Sequence, residues 1–278
     1  MLFSRFWILL LAAITGVSLA AMTLARLTYE HDREQDTAAL LTSDRKVVEE
    51  FLRRDAHTRI DDLAPMSANA ALVTLMETTN RRADDSPNTI GTAITARLNE
   101  LNQGLGPLRG DVVFAVDQRG VIVGRAGQNL GEVGRSLGGH PLVAGAITGN
   151  LRDDVWDISG TAYRMTARPI VSQGRFYVGA IVHGMAINER FVGTLGQLVP
   201  GATVMFFGPE GMYAAVVPVP ERGARPSVPS PLLVDQLRAV TQREDWKTRG
   251  STDAIILQNR GGAVVYASLP GVVGAAGV

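Results

Sequence analysis

Four segments of the chain recur in the same order. Val112-Val113-Phe114-Ala115-Val116-Asp117-Gln118-Arg119-Gly120 is echoed by Thr203-Val204-Met205-Phe206-Phe207-Gly208-Pro209-Glu210-Gly211. Pro141-Leu142-Val143 returns as Pro231-Leu232-Leu233-Val234, Asp154-Val155-Trp156 as Glu244-Asp245-Trp246, and residues 160–169 as 261–270. The copies begin 91, 90, 90 and 101 residues apart. A single match would carry little. Four in one order point to one supersecondary unit built twice, and restrict the second half of the chain to folds that such a unit can form.

The first copy shows what the unit contains. The β-rich runs 112–116 and 121–123 flank Asp117-Gln118-Arg119-Gly120, which reads as a hairpin turn. Residues 160–170 and 177–184 are a second pair of strands, turning at Ser172-Gln173-Gly174. Between the hairpins, residues 141–148 form a helix opened by Pro141. The expected fold class is therefore α+β, an antiparallel sheet with helical cover. In the second copy the strand equivalent to 178–184 falls at or beyond Val278, so that unit is expected to be about one strand short.

Residues 6–25 carry no charge, and their length matches a hydrocarbon core of roughly 30 Å. A cleaved leader ending near Ser18-Leu19-Ala20 is the alternative. The run is long for a leader and helix-like sequence follows without a break, which favours a retained anchor. Residues 28–63 have no Gly and no Pro, and Leu40, Leu41, Val47, Val48, Phe51 and Leu52 form an apolar stripe. That stripe packs on its own domain, or pairs with a second copy in a homodimer. Shorter helices are expected at 68–79 and 89–103.

Composition removes several classes of function. Net charge is +0, which provides no basic excess for a nucleic-acid partner. The chain has 0 Cys and 4 scattered His, with no metal-ligand spacing. The Gly-rich stretch 131–139 matches no nucleotide-binding pattern and reads as a flexible loop over the first unit. No nucleophile motif is present. The chain is read as a non-enzyme without cofactor or metal.

A membrane span, a long helix and two tandem units of this strand order resemble the double Cache family, the PAS-like extracytoplasmic sensor regions of bacterial membrane receptors. The resemblance rests on the hairpins at 112–123 and 203–217 and on Gly160, Tyr163, Pro169-Ile170 and Val178-Gly179-Ala180-Ile181-Val182, and it covers residues 28–278. It implies a small-molecule ligand in the first, membrane-distal unit, held between the sheet and the segment containing Trp156, and a signal passed along the long helix. It also implies a single pass through the cell inner membrane with the body in the periplasm. The amino-acid-binding branch carries Arg-x-Trp-Tyr in that segment. Here the run is Arg152-Asp153-Asp154-Val155-Trp156, so an amino-acid ligand is not implied.

The candidate ligand-binding residues are Arg152, Asp154, Trp156, Tyr163, Arg164 and Arg168. They cluster across a loop and a strand and offer guanidinium, carboxylate and aromatic groups suited to a small polar ligand. Packing is the competing explanation for Trp156, because Trp246 recurs in the second copy. Strand alternation places Tyr163, Met165 and Ala167 on one face and Arg164 and Thr166 on the other. The resulting organisation is an anchor at 1–27, a helical lead-in at 28–107, a first PAS-like unit at 108–197 and an incomplete second at 198–278. An assembly module without a ligand, working through the long helix, is the alternative function.

Overall fold

The computed structural model describes residues 2–81, 88–128, 131–208, 211–216, 255–257 and 262–264. Two compact units are present, one of residues 1–46 with 251–267 and one of residues 47–250 with 268–278. Helix α1 spans Leu2–Asp62. The long helix expected at 28–63 therefore continues the apolar run without a break, because nothing between Ala25 and Thr28 stops a helix. Strands β8 (Ile255–Leu257) and β9 (Gly262–Val264) pair antiparallel in the smaller unit. The expected second-copy segments at 231–234 and 244–246 lie outside the described residues.

In the larger unit, α1 gives way to α2 (Ala64–Ser67) at Pro65, and α3 (Ala70–Arg81) and α4 (Asn88–Gly104) follow. The sheet has five strands: β1 (Val112–Val116), β2 (Ile122–Gly127), β3 (Arg152–Ile158), β4 (Thr161–Val171) and β5 (Tyr177–Ala186). Their order is β2-β1-β5-β4-β3 and every pairing is antiparallel. Helix α5 (Pro141–Ile147) packs on one face. Helix α6 (Glu189–Leu198) leaves the sheet with Asn188 accepting a hydrogen bond from the Phe191 N–H at its N-terminus. Residues 152–158, expected as a loop, are an edge strand.

Both faces of the sheet are buried, which is why β1 reads as an unbroken apolar run. Val112, Phe114 and Val116 face α5, together with Ile122, Trp156, Tyr163 and Met165. Val113 and Ala115 face the other way, with Leu63, Leu72, Met76, Ile94, Leu98 and Ile181. A third cluster joins Val48, Phe51 and Leu52 of α1 to Val192 and Leu195 of α6 and to Phe206 and Ala214. The last two belong to the hairpin β6 (Val204–Gly208) and β7 (Gly211–Val216). Pro169 sits where β3 no longer pairs with β4, so its missing N–H faces an open edge.

The two hairpins share an irregularity. The β1–β2 register shifts between Ala115 and Val116, and the β6–β7 register shifts between Phe206 and Phe207. Both bulged steps are 91 residues apart, the offset of the first sequence match. Bulges are specific local features rather than noise, so the matched segments share backbone detail as well as composition.

Gly179 is among the glycines that geometry requires. Gly179 has φ 147°, and a Cβ there would lie 2.1 Å from the Val116 carbonyl oxygen of the neighbouring strand. Gly193, inside α6, has open space around its Cβ position. Gly179→Ala is expected to cost at least about 1–3 kcal/mol. Gly193→Ala is expected to add about 0.5–1 kcal/mol by relieving the helical cost of glycine. Denaturant unfolding of the full chain in detergent, followed by tryptophan fluorescence, separates the two; equal effects would contradict the backbone geometry.

Candidate functional site

The α5 face carries four of the candidate residues. In β3, alternation puts Arg152, Asp154, Trp156 and Ile158 on this face, and the β3–β4 register sets Trp156 opposite Tyr163. The Trp156 indole N–H donates to Asp154 Oδ2 at 3.0 Å, and Asp154 Oδ1 accepts the Val155 N–H at 2.8 Å. The His140 ring lies 4.9 Å from the Trp156 ring, centroid to centroid. Arg152 donates from Nη1 to the Pro141 carbonyl at the start of α5, at 3.2 Å. Tyr163 donates its hydroxyl proton to Gln128 Oε1 at 2.8 Å. Trp156 is 1% exposed and Tyr163 3%.

A small cleft opens beside Trp156, lined by Phe114, Ile122, Gly131, Arg135, Leu137 and Ile158 as well. It has room for about one water molecule. Its outer wall is the stretch expected as a flexible loop, and that stretch is pinned to β2. The Ile122 N–H donates to the Arg135 carbonyl at 2.9 Å, Gly134 N–H to Ile122 at 2.8 Å and Leu137 N–H to Gly120 at 2.7 Å. A bridge pairs Val121 with Ser136. Burial raises the Asp154 carboxyl above its ordinary range, opposed by the Trp156 and Val155 hydrogen bonds. Burial also raises the Tyr163 hydroxyl, reinforced by the nearby Asp111 charge.

Arg164 and Arg168 lie on the opposite face. Arg164 donates from Nη1 to Asp55 Oδ2 of α1 at 2.6 Å, and Arg59 donates from Nε to the same oxygen at 2.8 Å. Arg59 Nη1 also donates to the Arg164 carbonyl at 3.0 Å. Arg168 donates to the Ile60 carbonyl at 3.0 Å, in the last turn of α1, where carbonyls lack helical partners. The six candidates therefore do not line one site: Arg152, Asp154, Trp156 and Tyr163 gather under α5, and the two β4 arginines hold α1. Sequence reasoning passed over Asp55, Arg59, Gln128 and Arg135. Asp55 and Arg59 carry a readable signal, since they continue the apolar stripe of Val48, Phe51 and Leu52 as charged positions.

No family model matches this chain, and no curated protein matches it. The chain is similar to solved sensor and ligand-binding domains. One is the sensor domain of the V. cholerae histidine kinase DctB, at 16% identity and TM-score 0.44, with 76% of this chain and 79% of that chain covered. Another is the periplasmic domain of Vibrio cholerae LuxQ, at 14% identity and TM-score 0.42, covering 69% and 82%. A third is the ligand-binding domain of the Campylobacter jejuni chemoreceptor Tlp3 in complex with 4-methylisoleucine, at 12% identity and TM-score 0.38, covering 67% and 70%.

His183 provides a test of the α1 face. It is 2% exposed, its Nε2 meets the Leu108 carbonyl at 3.0 Å, and its Nδ1 has no partner. Burial, with Arg59 adding repulsion, pushes its pKa from 6.5 down to about 4. Between those values the unfolded chain binds a proton that the folded chain does not. Stability therefore falls as pH drops through that window, by about 3 kcal/mol in all, with the slope from this group fading about one pH unit above 6.5 and about one unit below 4. Unfolding measured from pH 7.5 to 4 is expected to show this loss, and His183→Gln to reduce it.

Proposed function

We propose that this chain is the extracytoplasmic sensor region of a membrane-anchored receptor, with a small polar organic ligand taken under α5. The observation that carries this reading is the division of one sheet between two faces. One face holds α1 through Arg164 and Arg168, while the other gathers Arg152, Asp154, Trp156 and Tyr163 around a cleft. A ligand that moved β3 or β4 would act on α1 through the same strand. The repeated bulge of the two hairpins supports a tandem of PAS-like units, the first at 108–197 and the second from 198 onward.

Among the described residues, no helix is long and apolar enough to cross a membrane, and much of the run 6–12 lies outside the side chains described. Trp7, Ile14, Val17, Leu19, Met22 and Leu24 are all exposed along α1. Large side chains left open on every side of a helix favour a lipid surrounding. We place the anchor at residues 6–25, in a single pass through the inner membrane with the body in the periplasm. Leu40 and Val47, exposed on α1, offer the pairing face for a homodimer.

The second reading is a ligand-free assembly module. It is favoured by the near-complete packing of Trp156 and Tyr163 and the small size of the cleft. A thermal-shift screen of the full chain against small organic acids, amines and sugars separates the two. The sensor reading expects at least one compound to raise the melting temperature, with the shift lost in Asp154→Asn. A silent screen over a broad library favours the assembly module. For the anchor, the full chain is expected to stay with membranes after alkaline carbonate washing; release into the wash would remove the anchor from the proposal.

A further inference from the structure

The contact between α1 and β4 sets two buried guanidinium groups on one carboxylate, with Asp111 a further anion acting on Arg164. Two guanidinium groups, Arg59 at 4% exposure and Arg164 at 6%, share a single carboxylate oxygen of Asp55. The Nε of Arg164 is buried and has no hydrogen-bond partner. Burial pulls the Arg164 pKa down, and the Asp55 charge is the main opposing influence. Desolvating a charge is costly, and removing its partner costs more than the pair supplies. Two cations that share one carboxylate oxygen are therefore held together only while every member keeps its place.

The compensation comes from a third element. The Arg164 guanidinium lies over the Phe191 ring of α6, with its central carbon 3.5 Å from the ring centroid. A cation over an aromatic face is attracted by the ring's electron density, and more strongly when both are desolvated. Phe191 in turn meets Phe51 of α1 and Phe206 of β6, at centroid distances of 6.2 and 6.0 Å. Arg164 thus touches α1 through Asp55 and α6 through Phe191. Beside Phe206 in the same hairpin, Tyr213 of β7 donates to Asp157 of β3.

We propose that Asp55, Arg59, Arg164 and Phe191 form one latch that keeps the end of α1, strand β4 and helix α6 in a single arrangement, and that its release is the step that changes the position of α1. Strand β4 places this latch next to the α5 face. Tyr163 and Arg164 are consecutive residues pointing to opposite sides of the sheet, so a shift of β4 that moves Tyr163 also moves Arg164 off Asp55. Packed interfaces change between discrete arrangements rather than by gradual deformation. The shared carboxylate supplies such an arrangement, because a partial opening separates a buried cation from it. The direction of the signal rests on the sensor reading, whereas the latch itself needs no ligand.

Hydrogen–deuterium exchange on the full chain in detergent tests the latch directly. Asp55→Asn, Arg164→Lys and Phe191→Leu are compared with the unaltered chain. Arg164→Lys keeps a cation opposite Asp55 and removes the flat group that lies on Phe191. Each variant is expected to speed exchange about tenfold in residues 48–62 of α1 and 189–198 of α6 together. Residues 88–104 of α4 and the β1–β2 hairpin are expected to stay within about twofold. An effect of Phe191→Leu confined to α6 would overturn the latch. So would a uniform rise across α4 and the sheet, which would mark a general loss of stability. If Asp55→Asn does not fold, the other two variants decide the matter. A silent compound screen leaves this result standing, and uncoupled exchange leaves the ligand-binding proposal standing.

Discussion

Strands β1 and β5 have no face for water, and this constraint organises the larger unit. A sheet whose central strands are apolar on both sides is stable only between two layers. Helices α2 to α4 and the end of α1 form one layer, and α5 with the pinned stretch 134–137 forms the other. The edges follow the same logic. On the β2 side, residues 134–137 take up backbone groups that an open edge would leave unpaired. On the β3 side, Asp153, Asp154 and Asp157 stand on the outer strand, and Asp154 occupies the Val155 N–H. Charge on an exposed edge opposes pairing with another chain. Asp154 therefore serves the edge and orients Trp156 at once.

The α1 face departs from apolar packing at Arg59, Arg164, Thr166 and His183, which are buried among hydrophobic neighbours, and also at Ser67 of α2 and Asn102 of α4. Thr166 donates to the His183 carbonyl at 3.4 Å, and His183 reaches the Leu108 carbonyl, so part of the region is satisfied locally. The charged part is satisfied within α1, by Arg59 on Asp55, and across elements, by Arg164 on the same carboxylate. An apolar substitute for the ion set could match it for stability. What apolar side chains cannot supply is a fixed alignment, since Asp55 accepts hydrogen bonds in a few directions and a leucine in that place would slide.

Much of this fold is legible in the sequence, for identifiable reasons. The hairpins read correctly because Gly120 and the 172–174 turn interrupt apolar runs of strand length. Helix α5 reads correctly because Pro141 opens it. Strand β3 does not read as a strand because it is an edge: its outward positions carry Asp153 and Asp157, and only Trp156 and Ile158 are well buried. Its alternation is too short to show before the partner strand is known. Helix α1 merges with the apolar run because helical propensity alone cannot mark where a membrane would end. The candidate site was half legible. Period-two alternation separates Tyr163 from Arg164, but nothing local states which layer covers which face. That depends on α1 returning from more than 100 residues away in sequence to meet β4, as the separation of Asp55 and Arg164 shows.

Strand β4 is therefore the wall common to two chemically different compartments. On the α5 side its side chains are Tyr163, Met165 and Ala167, fixed by packing and by the Gln128 hydrogen bond. On the α1 side they are Arg164, Thr166 and Arg168, fixed by ion pairing and by helix carbonyls. Packing tolerates displacement poorly because close-packed interiors leave no slack. Ion pairs tolerate it poorly because a separated buried charge has no water to replace its partner. A strand held by both resists displacement normal to the sheet. Gly184 of β5 lies close against the end of the Met165 side chain, which occupies the space a Cβ would take.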